Sequence, residues 1–224
     1  MVHKDVFYRR AKEEGWRARS AFKLMQLDAE FNVLAHARTA VDLCAAPGSW
    51  SQVLADRLPA GSRIVAVDLQ EMAPIPGVDI LKGDITSLAT AEQVITSCGG
   101  DKVDLVVCDG APDVTGLHDM DEYLQSQLLV AALNLAAFVL APGGTFVAKI
   151  FRGKDVDLLY MQAEVFFANV TVAKPQSSRD SSVESFLVCR GFSVPPGYTP
   201  SMEANRTGAL STFLAWGDLE LCSM

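Results

Sequence analysis

A doubly wound α/β fold, with a mostly parallel seven-stranded sheet and helices on both faces, is what this sequence predicts. Three observations point there. Short apolar runs alternate with segments of helical periodicity along the chain, the pattern of βαβ units. Several runs, among them Ile64-Val-Ala-Val67 and Leu105-Val-Val-Cys108, are continuously apolar, as strands covered on both faces must be. With 224 residues, 50% of them hydrophobic, the chain can bury one substantial core.

Each element has its own signal. In residues 18–34, Ala21, Leu24, Met25, Leu27, Phe31 and Leu34 recur near the helical period, so a helix closes a basic N-terminal segment, 1–34. A strand over 39–44 runs into a turn at 45–48 and a helix over 49–58, with Ser49 as its N-cap. Strands follow at 63–69 and 79–82, then a helix over 86–97 and a strand over 103–108. A long helix over 121–140 stops before Pro142-Gly143-Gly144, which reads as a helix stop and turn. Strand 145–151, helix 155–168 and strands 169–174 and 183–190 complete a domain spanning 1–192. Beyond it, 193–224 forms an extension. Pro195-Pro196-Gly197 and Pro200 mark a linker, and residues 210–216 are apolar enough to add a strand or dock a partner.

Bulk properties narrow the class. The longest apolar run, residues 128–140, is too short to span a bilayer and contains Asn134, so no membrane association is expected. The charged N-terminus does not read as a signal peptide. Five cysteines (44, 98, 108, 189 and 222) show no C-x-x-C spacing, which predicts reduced thiols and a cytosolic or nuclear protein, with a cytoplasmic location expected. His3, His36 and His118 have no ligand spacing with one another or with the cysteines, so no metal site is expected. Net charge is −8, yet residues 1–25 carry seven Lys/Arg against three acids. A basic stripe on an acidic body allows local phosphate binding while limiting non-specific adhesion. Phe7, Tyr8, Trp16 and Phe22 lie among those charges and offer stacking faces. Alone, such a stripe is more often a solvated helix face.

Chemistry gathers at strand ends. Asp109 ends the run Val103-Asp-Leu-Val-Val-Cys108, and Lys149 ends Gly144-Thr-Phe-Val-Ala148. Charges beside a core are costly unless paired, so these two are expected to face one another in a cleft, with Lys23 and Glu184 completing a set of two lysines and two carboxylates. Nearby, Ala40-Val-Asp-Leu-Cys-Ala-Ala-Pro-Gly-Ser-Trp50 reads as strand, tight turn and helix start, with Gly48 permitting close backbone approach to a ligand. Neither G-x-G-x-x-G nor G-K-[ST] is present, which disfavours a dinucleotide oxidoreductase or a triphosphate site. Asp68 ends the second strand, where an acid accepts ribose hydroxyls, and Asp84 follows the third. Each acid alone is an ordinary turn former. Three at successive strand ends suit a cationic adenosine ligand.

In combination, further stretches carry a specific resemblance. They are Gly15-Trp-Arg-Ala-Arg-Ser-Ala-Phe-Lys-Leu24, Val41-Asp-Leu-Cys-Ala-Ala-Pro-Gly-Ser-Trp-Ser-Gln52, Val107-Cys-Asp-Gly-Ala-Pro-Asp-Val-Thr-Gly116, Phe146-Val-Ala-Lys-Ile-Phe-Arg-Gly153 and Lys174-Pro-Gln-Ser-Ser-Arg-Asp-Ser-Ser-Val-Glu184. Over residues 4–192 the chain resembles the FtsJ-like RNA ribose 2′-O-methyltransferases, and within them the eukaryotic enzymes of the tRNA anticodon loop. That resemblance implies a Rossmann-like methyltransferase fold and S-adenosyl-L-methionine as cofactor, contacted by Gly48, Trp50, Asp68, Asp84 and Asp109. It also implies a catalytic tetrad of Lys23, Asp109, Lys149 and Glu184, tRNA as substrate, and separate protein partners that select the methylated position. The tRNA branch rests largely on Cys108-Asp-Gly-Ala-Pro-Asp113 and Thr115-Gly-Leu-His-Asp119. Ribosomal RNA or an mRNA cap as the acceptor, and a non-catalytic scaffold retaining the fold, are the competing readings.

Overall fold

The computed structural model describes residues 6–112, 118–152, 156–179, 182–200 and 202. In chain order the elements are α1 Val6–Glu13, α2 Ala21–Phe31, β1 Thr39–Leu43, α3 Ser49–Arg57, β2 Arg63–Asp68, β3 Asp79–Lys82 and α4 Leu88–Ser97. They continue with β4 Val103–Cys108, α5 His118–Val139, β5 Leu140–Phe151, α6 Val156–Phe166, β6 Phe167–Ala173 and β7 Glu184–Phe192. The seven strands lie in the order β3-β2-β1-β4-β5-β7-β6, and β7 alone runs antiparallel to its neighbours. The expected mostly parallel sheet is the one observed.

Strand alternation divides the core between the two faces. Leu105 and Val107 of β4 pack with Ala21, Leu24 and Leu27 of α2 and Trp50, Val53 and Leu54 of α3. Val103, Val106 and Cys108 turn the other way, onto Ala91 and Val94 of α4, Leu135 and Ala136 of α5 and Phe166 of α6. A period of two, apolar on both sides, therefore required helices on both faces.

Several boundaries depart from expectation, each for a tertiary reason. The Pro142-Gly143-Gly144 turn lies inside β5, which already pairs Leu140 with Val103 before Thr145 meets Leu105. The extra residues form a bulge, and a Cβ on Gly144 would come within 2.9 Å of the Ala141 carbonyl. Helix α6 stops at Phe166 and β6 begins at Phe167, because both rings are buried in the same cluster. The N-terminal segment carries a further helix, α1, ahead of α2, with Gly15 at φ 80° between them. Gly48, not Ser49, caps α3, and the Ser49 hydroxyl lies 2.6 Å from that of Ser20.

The start of the extension packs on the domain. Ser193 N donates to the Phe166 carbonyl at 2.8 Å, the Tyr198 ring meets Phe166 edge-on at 5.0 Å, and Met202 is buried. Residues 203–224, including the apolar 210–216 stretch, lie outside the described residues, as do Asp113-Val-Thr-Gly-Leu117. Among the described residues no helix is long and apolar enough to cross a membrane.

Candidate active site

Sheet register brings the charged groups together. Strands β4 and β5 are parallel with Cys108 opposite Ala148, so the next residues, Asp109 and Lys149, emerge side by side. β7 is antiparallel to β5, and its first residue, Glu184, pairs with Phe151 at the same edge. Lys23 reaches in from the first turn of α2. Lys149 Nζ donates to the Asp109 carbonyl at 2.5 Å and to its Oδ1 at 3.1 Å. Lys23 Nζ lies 2.7 Å from Glu184 Oε2 and 3.9 Å from Asp109 Oδ1. Both lysines are buried, 7% and 8% exposed, so their charges depend on these partners. Burial pushes the Glu184 carboxyl up, but Lys23, with help from the Ser178 hydroxyl at 2.8 Å and from Lys149, holds it below its ordinary value. The result is two ammonium groups converging on one carboxylate oxygen of Asp109.

A cavity of about 530 Å³ opens beside this cluster. Its lining includes Asp68 from the end of β2, Asp84 after β3, and Asp109, along with Cys44, Leu69, Ile85 and Leu128. Parallel strands put all three acids at the carboxyl edge of the sheet, where ligands of open α/β folds bind. Asp68 is held in place by the Ala46 and Gln70 amides at 2.8 and 2.7 Å, and Asp84 Oδ1 accepts from the Thr86 amide and hydroxyl at 2.9 and 2.8 Å. Among the described residues the lining has three carboxylates and no lysine or arginine, which repels a polyphosphate and favours a cation. A cationic adenosine with apolar faces therefore fits the donor set and the volume.

The other two expected cofactor residues stand differently. Gly48 has φ 101°, and a Cβ there would meet Ile75 Cδ1 at 2.8 Å and Arg17 Nη1 at 2.9 Å. The fold itself therefore demands glycine at this turn. Trp50 is 2% exposed, its Nε1 donates to the Ser20 carbonyl at 2.8 Å, and its ring lies 5.7 Å from that of Phe186. Neither residue is among those lining the acidic cavity.

The family model for FtsJ-like methyltransferases matches residues 16–192, more than half of the chain and all of the elements that build this site. The chain belongs to the FtsJ-like methyltransferase family. A human protein named tRNA (cytidine(32)/guanosine(34)-2'-O)-methyltransferase is 62% identical over 201 residues, covering 89% of this chain and 61% of its own length. A Schizosaccharomyces pombe protein of the same name is 53% identical over 237 residues, covering 97% of this chain and 82% of its own. The chain thus spans less than two thirds of the human relative. Among solved structures, a ribosomal RNA methyltransferase, putative, from Plasmodium falciparum superposes with a TM-score of 0.71 at 25% identity, covering 79% of this chain and 98% of that one.

Three residues that sequence reasoning passed over support this FtsJ-like site. Arg17 donates through Nη1 to the Pro47 carbonyl at 2.9 Å and through Nη2 to the Pro74 carbonyl at 2.8 Å, joining the Ala45–Gly48 turn to the segment after β2. Arg17→Ala is expected to cost about 1–2 kcal/mol of stability. It should also weaken cofactor binding, as calorimetric titration alongside thermal unfolding would register. Gln125 of α5 donates Nε2 to the carbonyls of Gly110 at 3.3 Å and Lys149 at 3.0 Å, linking the two strand ends that carry Asp109 and Lys149. No sequence signal marks either role, because both partners are distant in the chain.

Asp42 is the third. It is 1% exposed on the α3 side of β1, its Oδ2 accepts from the Ser51 hydroxyl at 2.6 Å, and its Oδ1 has no hydrogen-bond partner among the described residues. Burial raises its carboxyl to about 7, the Ser51 hydrogen bond opposing and the negative charges of Asp109 and Asp68 assisting. A carboxyl whose folded pKa lies above its unfolded value binds protons preferentially when folded, so stability falls as pH climbs from the ordinary carboxylate range through about 7. Asp42→Asn should therefore melt higher than wild type at pH 8, with the difference shrinking toward pH 5. Melting curves with equal differences at both pH values would contradict this.

Proposed function

We propose that this chain catalyses S-adenosyl-L-methionine-dependent 2′-O-methylation of tRNA ribose in the anticodon loop. The observation that carries it is the juxtaposition of Lys149, held by Asp109, with a cavity whose carboxylates suit a cationic adenosine. The tRNA assignment draws on relatives of 53–62% identity that carry tRNA 2'-O-methyltransferase names.

A ribose hydroxyl is a weak nucleophile, so its oxygen must be aligned and its proton drawn off. S-adenosyl-L-methionine, when bound, supplies a methyl on a sulfonium. We assign Lys149 Nζ to O2′: as an ammonium it polarises the oxygen, and once it has released a proton to solvent its neutral amine takes the hydroxyl proton as the methyl passes from sulfur to oxygen. Lys23 stabilises negative charge developing there, and Asp109 and Glu184 fix the two ammonium groups. Asp68 and Asp84 would hold the ribose and the adenine, and Asp109 borders both cofactor and acceptor. Contacts from Gly48 and Trp50 would come through their backbone at the start of α3. The reading extends to separate protein partners that select the position, since basic residues of the N-terminal segment offer only a modest footprint for a large RNA. It extends also to a cytoplasmic setting, consistent with the free thiols of Cys44, Cys98, Cys108 and Cys189.

The Plasmodium neighbour favours one second reading, the same chemistry on ribosomal RNA. Transfer of labelled methyl to anticodon stem-loop transcripts and to rRNA fragments, with 2′-O-methyl mapping of the products, separates the two. Labelling confined to rRNA would overturn the tRNA assignment.

A further inference from the structure

Strands β4 and β5 lose their ladder at the edge that carries the tetrad. Their last register pair is Cys108 with Ala148, after which β4 ends while β5 runs on to Phe151. Asp109, Gly110 and Lys149 therefore lie where parallel pairing no longer fixes the spacing of the two chains. Gln125 of α5 spans that gap. Its Nε2 donates to the Lys149 carbonyl at 3.0 Å and to the Gly110 carbonyl at 3.3 Å. Lys149 Nζ in turn donates to the Asp109 carbonyl and to its Oδ1. These bonds close a ring through both members of the Asp109–Lys149 pair.

Helical periodicity calls for an apolar residue at position 125. Leu129 and Ala132, four and seven residues on along the same face of α5, are buried in the core, and Gln125 is itself 3% exposed. Its Oε1 is buried with no hydrogen-bond partner among the described residues. Turning the amide over gives no relief, because Oε1 would then face two carbonyl oxygens. A buried acceptor without a donor destabilises the fold. Leucine or methionine would avoid that penalty and would leave the two carbonyls unbridged. Gly110 adds a second constraint. A Cβ there would come within 2.7 Å of Cys44 Cβ and 3.1 Å of Leu128 Cδ2, so its backbone is lodged between Cys44 and α5 with its carbonyl at the Gln125 amide.

We propose that Gln125 is a positioning residue for methyl transfer: its amide sets the separation of the Asp109 and Lys149 strand ends and thereby the aim of the Lys149 amine. The inference rests on the 2′-O-methyltransferase reading and adds to it a residue outside the tetrad and outside the lining of the acidic cavity. A lysine amine sits on a flexible four-carbon stem, so it is aimed only as well as its backbone and its carboxylate partner are held. Misplacing a reacting group by about 1 Å lowers a rate by about 10²-fold. A bridge of this kind acts on the geometry of the reaction and leaves ligand affinity alone, so its loss belongs in kcat and not in KM.

The test compares the full chain with its Gln125→Met, Gln125→Asn and Gln162→Met variants. Methionine keeps the length of the side chain and removes both donations together with the orphan oxygen. Asparagine keeps the amide but is one methylene short of bridging both carbonyls. Gln162 on α6 is a control of the same kind, 6% exposed with its own Oε1 unpartnered among the described residues. Gln125→Met is expected to lower kcat for stem-loop methylation by about 10²-fold, with KM for RNA and calorimetric cofactor affinity near wild type and a small change in Tm. Gln125→Asn should fall between, and Gln162→Met should keep wild-type kcat. In a crystal structure of Gln125→Met the Lys149 Nζ–Asp109 Oδ1 pair should open beyond its 3.1 Å. Wild-type kcat in Gln125→Met overturns the proposal, as does an equal fall in Gln162→Met. If Gln125→Met does not fold, Gln125→Asn is judged on the same readouts. If wild type transfers methyl to no RNA, the methyltransferase reading fails instead, and an unchanged Lys149–Asp109 pair in the variant structure overturns the positioning role on its own.

Discussion

Lys149→Ala is expected to abolish RNA methylation, lowering the rate by about 10²–10⁴-fold, the range for loss of a positioned proton-transfer group. Cofactor affinity should stay near wild type, because Lys149 lies on the tetrad side of Asp109 and is not among the residues lining the acidic cavity. Among the described residues, the substitution leaves Asp109 Oδ1 with the longer 3.9 Å contact to Lys23. Part of the loss could then come from a displaced Asp109, and Lys149→Met separates the effects by preserving stem volume while deleting charge. If Lys149 acts at the ribose oxygen, Met and Ala variants are equally inactive and both bind cofactor. Retained methylation in either variant, measured as labelled methyl incorporated into stem-loop RNA, would remove Lys149 from the reaction.

What made Lys149 and Asp109 legible was their contrast with their surroundings. A charge that ends a continuously apolar run has few places to go, and parallel register puts such ends on one edge. The same logic exposed Asp68 and Asp84. Lys23 and Glu184 were harder, since a lysine on a helix and an acid after a serine-rich loop look like ordinary surface residues; motif resemblance brought them in, and β7 running antiparallel to β5 is what delivers Glu184. The roles of Arg17, Gln125 and Asp42 went unread, although Arg17 and Asp42 lie inside the quoted motifs. Their roles lie in bonds to backbone carbonyls or to a buried hydroxyl, and sequence spacing does not encode those contacts. Pro142-Gly143-Gly144 marked the end of α5, at Val139, but its turn was absorbed as a bulge by pairing with β4 on either side. Local rules described the strands well and failed where a distant partner set the outcome.

Trp50→Ala is expected to destabilise the protein by about 3–5 kcal/mol, the range for emptying an aromatic core position. For a chain of this size that corresponds to a fall in Tm on the order of 10 °C. The residue sits in a motif associated with the cofactor, yet its indole is buried among Leu24, Val53 and Phe186 and anchors the Ser20 carbonyl. Ser20 also approaches Ser49 and immediately precedes α2, so Trp50 ties the α3 start to the helix carrying Lys23. Trp50→Phe tests this directly. It keeps much of the packing but leaves the Ser20 carbonyl with the Lys23 amide as its remaining donor, costing about 0.5–1.5 kcal/mol. Thermal unfolding should rank wild type above Phe and Phe above Ala, while cofactor affinity of the folded Phe variant stays near wild type. A Phe variant with wild-type Tm and sharply weaker cofactor binding would instead put the indole in the ligand site. The arrangement also predicts that Trp50→Phe lowers kcat through a loosened Lys23. That link separates a support beneath Lys23 from a wall of the acidic cavity.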